Sequence, residues 1–155
     1  MTTLSASADV DDEQLLALYP GRGMSRDDAA IYRGWLRREL LINRCGDCGL
    51  WHQPASCICP SCWSVNVAPT AVKGDGTIFM FVLLHQGPPT EGVDYAVPYP
   101  VVIVELDEQP GLRITATVIG SPNEKIAIGR RVHLDWFVRG GAPLPAFRLV
   151  GEDGQ

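Results

Sequence analysis

Four cysteines in this chain are spaced to grip a metal. Cys45 and Cys48, then Cys59 and Cys62, form two C-x-x-C knuckles separated by ten residues. Zinc takes four soft ligands at the corners of a tetrahedron, with thiolate sulfurs at about 2.3 Å. Each knuckle sets two sulfurs on one side of a tight turn, and Gly49 and Pro60 are residues suited to such turns. A shell closed by four thiolates leaves no position for water or substrate. The zinc site expected here is therefore structural, contributing folding energy rather than Lewis-acid chemistry. Redox dithiol chemistry usually needs one such pair, not two. Cys57 is the fifth cysteine. It lies close enough to Cys59 to compete as a ligand, and is read as a spare thiol beside the site. His52 lies in the same stretch, but nothing around it marks a nucleophile pocket.

Other candidates for chemistry are sparse. His85 ends an apolar run beside a proline-rich stretch, and His133 lies inside another strand-like run. Glu105 and Asp107 sit near a strand end. There is no phosphate-cradling Walker loop and no nucleophile-elbow pattern. No catalytic residue is assigned, and turnover by this chain alone is not expected. Trp51 and Trp63 flank the knuckles. Such aromatics can stack nucleobases, but the expectation taken here is that they seal the small ribbon against its neighbours.

Elements on both sides must hold the cysteines. Before them, residues 11–19 read as a short helix with acids at its start and Leu15, Leu16, Leu18 and Tyr19 on an apolar face. A second helix is expected over 26–41. Ser25 and Asp28 resemble a capping box, and Tyr32, Trp35, Leu36 and Leu40 fall at helical spacing. Its other face is basic, with Arg26, Arg33, Arg37 and Arg38, and reads as solvated. After the cysteines the pattern changes to strands, over 77–85, 101–106, 112–119, 131–139 and 146–150. Residues 86–100 hold four prolines and read as a long loop; 121–128 read as a short helix or link with Ser121 as cap. Five strands with a link between the third and fourth match an OB-fold, a small partly open Greek-key barrel. The fold class is thus mainly β. Residues 1–43 form a tail and helices, 44–68 a rubredoxin-like zinc ribbon, 69–150 the OB-fold and 151–155 a tail.

The bulk numbers fit that plan. The chain has 155 residues, 46% of them hydrophobic and 20% charged, as in globular proteins. A net charge of −5 argues against nucleic acid as the main partner, leaving a single-stranded nucleic-acid module as the alternative reading. The polar start lacks a signal peptide's pattern, and the longest apolar run, Ile78 to Leu84, is short of a membrane span. The cytoplasm is the expected compartment, where cysteines stay reduced.

Helices, ribbon and barrel in this order resemble the domain of unknown function 35 family, acyl-CoA-associated OB-fold proteins. The resemblance covers roughly residues 26–150. It rests on Cys45-x-x-Cys48-Gly49 with Cys59-Pro60-x-Cys62, on Gly74-x-Gly76-Thr77, on Pro98-Tyr99-Pro100 before Val104-Glu105-Leu106, on Ile128-Gly129 and on Pro145-Ala146-Phe147. It implies a non-catalytic accessory subunit. Such a subunit docks on a thiolase-superfamily enzyme, either a thiolase or a retro-aldolase, and completes its active site. A CoA thioester is then held jointly with the partner. The setting it implies is lipid metabolism: steroid side-chain degradation, or degradation of fatty or aromatic acids. Two positions depart from the family pattern. Pro54-Ala55-Ser56 stands where Pro-Pro-Arg is common, and Trp63 where glycine follows the last cysteine.

Overall fold

Helix starts in this chain are written by side chains that satisfy orphan backbone donors. Asp11 caps α1 (Asp12–Leu18) by accepting from the Gln14 N–H, and Gln14 reciprocates onto the Asp11 N–H. Ser25 and Asp28 close an equivalent box on α2 (Arg26–Leu36). The computed structural model describes residues 9–151; the expected leading tail (apart from Asp9 and Val10) and the last four residues lie outside them.

The chain divides into two units, the first comprising residues up to Val72 together with Gly140–Leu144. In it, Leu15 and Tyr19 of the first helical segment are buried, whereas Leu16 is exposed. Tyr19, Tyr32 and Trp35 form an aromatic trio with ring centroids 4.8–5.5 Å apart. The Tyr19 hydroxyl donates to the Pro143 carbonyl at 2.9 Å, and burial raises its pKa to about 12. Helix α2 stops at Leu36, short of the expected residue 41. Arg38 turns left-handed at φ 59°, and the Glu39 N–H reaches back to the Gly34 carbonyl at 2.9 Å. Glycine usually marks such an ending, and here it is absent. The chain then enters a three-stranded antiparallel sheet, order β2-β1-β3, made of β1 (Leu41–Cys45), β2 (Trp51–His52) and β3 (Val67–Ala71).

The second unit, Lys73–Arg139 with the chain from Pro145, is a curled five-stranded sheet. Its strands are β4 (Asp75–Leu84), β5 (Tyr99–Leu106), β6 (Arg113–Ala116), β7 (Arg131–Arg139) and β8 (Ala142–Leu149), in the order β6-β5-β4-β7-β8. The two edges meet beyond β6, where Val118 bridges Phe147 in parallel and the Phe147 N–H donates to the Thr117 carbonyl at 2.9 Å. This closure makes the sheet a barrel, with Ile78, Val102, Val104, Leu106, Val132, Phe147 and Leu149 fully buried inside. Strand contact is tight at Gly76, where an added Cβ would strike the Glu105 carbonyl and the Val104 side chain.

Four strand expectations change. β4 begins at Asp75 rather than at 77 and ends at Leu84. β5 begins at Tyr99, so Pro100 belongs to the strand, pairing with Leu83 while its carbonyl accepts from the Thr117 hydroxyl. β8 begins at Ala142 despite Pro143 and Pro145, because an edge strand of the ladder tolerates missing donors. β6 ends at Ala116 rather than 119, since the following residues leave β5 to close the barrel. Between β6 and β7 lies a single 3-10 turn, Asn123–Lys125, preceded by Pro122, and Ser121 does not cap it. Among the described residues no helix is long and apolar enough to cross a membrane.

Candidate metal centre

The ribbon sheet brings the two knuckles face to face. Cys45 ends β1, so strand pairing fixes its backbone; the Cys45 N–H donates to the Leu50 carbonyl and the Gly49 N–H returns to the Cys45 carbonyl at 3.0 Å. The second knuckle repeats this pattern: the Cys59 N–H donates to the Ser64 carbonyl and the Trp63 N–H to the Cys59 carbonyl at 3.0 Å. The residue after the second cysteine of each pair is left-handed, Gly49 at φ 77° and Trp63 at φ 63°. The knuckles are thus conformational twins, although one has glycine at the turning point and the other a tryptophan.

Between these turns the sulfurs of Cys45, Cys48, Cys59 and Cys62 lie within 4.8 Å of one another. The Cys45–Cys62 and Cys48–Cys59 pairs are both 3.6 Å apart. A disulfide needs about 2.05 Å, whereas ligands at about 2.3 Å around a tetrahedral zinc lie about 3.8 Å from one another. The observed spacing fits the metal and not the disulfide. Charge points the same way. The Cys48 N–H, more than any other partner, draws the Cys45 thiol down to about 6. At Cys62 the Ser64 N–H also pulls downward, but burial and the other three sulfurs push that thiol up to about 12. Four adjacent thiols cannot all ionise together unless a cation at their centre takes up the charge.

A second clasp joins the knuckles, and it was not legible in the cysteine pattern. Asp47, inside the first C-x-x-C, accepts from the Ser64 hydroxyl and from the Asn66 side-chain amide at 3.1 Å. These bonds hold its carboxyl below the usual carboxylate range. The Gly46 N–H donates to the Asn66 carbonyl at 2.7 Å. The signal lies in residue types: short polar side chains just after the last cysteine, which favour turns.

The remaining candidates are dispersed. Cys57 is exposed and outside the sulfur cluster. His52 is buried opposite Asn43 across β1 and β2, not at the sulfurs. His85 is exposed just past β4, and His133 of β7 stands opposite Asp75 of β4. Glu105 binds Arg113 at 3.1 Å, and Asp107 binds Arg131 through two oxygens, which depresses its pKa. On the basic face of α2, Arg33 is tied to Asp12 and the Val10 carbonyl, and Arg37 to Glu39. Trp51 lies under the Arg44 guanidinium, 5.0 Å from its ring. Trp63 departs from the packing expectation: it is 80% exposed.

Comparison with known proteins gives a consistent answer. Residues 69–137 match the ChsH2 C-terminal OB-fold domain. The chain is 34% identical over 134 residues to a probable enoyl-CoA hydratase alpha subunit of Thermomonospora curvata, covering 85% of this chain and 40% of that protein. It thus spans about two fifths of that curated relative. It is 29% identical over 132 residues to a DUF35 domain-containing scaffold protein of Methanocaldococcus jannaschii, covering 82% of this chain and 83% of that one. Among solved structures, a chain of the Ltp2-ChsH2(DUF35) aldolase superimposes with a TM-score of 0.73 at 32% identity, covering 83% of this chain and 98% of that one.

Proposed function

Since the chain belongs to the DUF35 family, we propose that it is the accessory subunit of a thiolase-like enzyme acting on acyl-CoA thioesters. The observation that carries this reading is the likeness to a chain of the Ltp2-ChsH2(DUF35) aldolase over nearly that chain's whole length. The similarity to a hydratase alpha subunit and to a scaffold protein supports the coarser conclusion, a subunit of an acyl-CoA-processing enzyme. In this role the nucleophile and the acid–base groups belong to the partner. Zinc held by Cys45, Cys48, Cys59 and Cys62 keeps the ribbon folded in a reducing, cytoplasmic setting, where the thiolates remain available to it. The barrel docks and completes the partner's site, and the CoA thioester is bound by both chains together. Cleavage by retro-aldol chemistry, as on a steroid side chain, is favoured over thiolysis by the aldolase likeness.

Co-expression with a thiolase-like subunit tests the reading. A complex that survives gel filtration and turns over an acyl-CoA substrate, when neither chain does so alone, is the expected result. Separate elution of the two chains at micromolar concentration would refute it.

A further inference from the structure

Burial is costly for an amide or an imidazole, because each gives up bonds to water that the fold must replace. Asn43 and His52 are nonetheless buried in the ribbon, at 5% and 8% exposure. They stand directly opposite one another on β1 and β2. Side chains alternate along a strand, so Asn43 shares its face of the sheet with Cys45, two residues on. His52, opposite Asn43, shares that face too.

The partner of Asn43 shows what the burial achieves. Its Nδ2 donates to the Ser56 carbonyl at 3.0 Å. The Ser56 hydroxyl donates to the Ile58 carbonyl at 3.1 Å and accepts from the Ile58 N–H at 3.3 Å. Ile58 immediately precedes Cys59. One amide thus ties the strand that ends in Cys45 to the segment that enters the second knuckle. The exit from that knuckle is tied from the same strand end, where Asp47 holds Ser64 and Asn66. The second knuckle is therefore fastened at entry and exit, each time to a residue two positions from Cys45. The Asn43 Oδ1 and the His52 Nε2 are buried with no hydrogen-bond partner among the described residues. The two atoms are complementary: an imidazole protonated on Nε2 donates and an amide oxygen accepts, directly or through one water. Such a bond fixes which way the amide is turned and leaves Nδ2 aimed at Ser56.

We propose that Asn43 is a positioning residue of the zinc centre, setting the second knuckle against the first through Ser56, and that His52 holds the Asn43 amide in its donating orientation. The inference rests on the reading of the four cysteines as a zinc site and deepens it by naming residues that ligate nothing yet shape the shell. Residues outside a metal's ligand shell orient the ligands, and losing one typically costs about 10–100-fold in metal affinity.

The test uses the full chain loaded with zinc and, separately, with cobalt(II), whose absorption bands report the geometry of a four-thiolate shell. Asn43→Leu keeps the size of the side chain and removes its donor and acceptor. It should release zinc to a colorimetric chelator about tenfold faster than the wild type, with its cobalt bands displaced. His52→Leu should do the same, because it frees the amide to turn. His52→Gln, whose side-chain N–H can still donate to Asn43, should restore wild-type behaviour. Leu40→Ala, a buried apolar change in the same unit, should lower the denaturant midpoint and leave the bands in place. Unchanged release and bands in Asn43→Leu overturn the proposal. So does a band shift in Leu40→Ala equal to that in Asn43→Leu, which would mark general loosening, and so does identical behaviour of the two His52 variants. If Asn43→Leu takes up no metal, the His52 pair decides. A wild type that binds no zinc overturns the four-cysteine reading together with the proposal, whereas wild-type behaviour of every variant leaves that reading standing.

Discussion

At the scale of single residues, the two knuckles test each other. They share one backbone design, so each substitution in one has a control in the other. Cys59→Ser removes a ligand from the sulfur cluster, and zinc content by elemental analysis should fall from one per chain to none. Cys57→Ser, two residues away and outside the cluster, should leave it at one. At the left-handed position the side chain opposes the backbone. Trp63→Gly should therefore stabilise the metal-bound ribbon by about 1 kcal/mol, the strain a non-glycine residue carries there, read from its denaturant midpoint. The four ligands were legible because spacing alone marks them. The Asp47 clasp was not, since an aspartate between two cysteines has no distinctive pattern until Ser64 and Asn66 arrive opposite it. Trp63 departs from expectation for a related reason: the sequence shows an apolar residue, and only the structure shows that it stands exposed.

At the scale of elements, β-branched runs mark the strands in the sequence, whereas strand ends depend on neighbours that the sequence does not show. Prolines obscured the start of β8 because sequence does not show which strand lies at an edge. Helix α2 ends short of the expected residue 41, since Leu40 keeps helical spacing though it is buried after the helix has ended. Strand contact sets the barrel's tolerance. Gly76→Ala should cost about 1–3 kcal/mol, as overpacking does, because its Cβ would meet backbone of β5 rather than a movable side chain; urea denaturation measures this. The ends of β5 and β7 are joined by Asp107 and Arg131, about half exposed. Arg131 lowers the Asp107 pKa, so this carboxylate's contribution is complete above its unfolded value of about 4 and is lost as pH falls through its lower folded value. Asp107→Asn should accordingly reduce stability at neutral pH by less than about 1 kcal/mol and flatten the acid limb of the stability curve below about pH 4.

At the scale of the whole molecule, the two units draw stability from different sources. The barrel has a continuous apolar interior, whereas the ribbon sheet of β1, β2 and β3 carries the four-cysteine cluster, and the proposed zinc would supply much of its stability. A strong chelator at neutral pH should abolish hydrogen-exchange protection in β1 and β3 while Ile78, Val102 and Val104 keep theirs. Simultaneous loss in both units would contradict this. The first unit is also discontinuous in sequence. Its five-residue strip Gly140–Leu144, with the carbonyl that receives the Tyr19 hydroxyl, comes from near the far end of the chain. During synthesis the ribosome releases the cysteines well before that strip. A nascent chain can therefore capture its metal early, yet Tyr19 waits for its acceptor until the last strand emerges. A stop codon shortly before residue 140 should thus leave a first unit that is loaded with zinc but unfinished, and exposed to quality-control proteases.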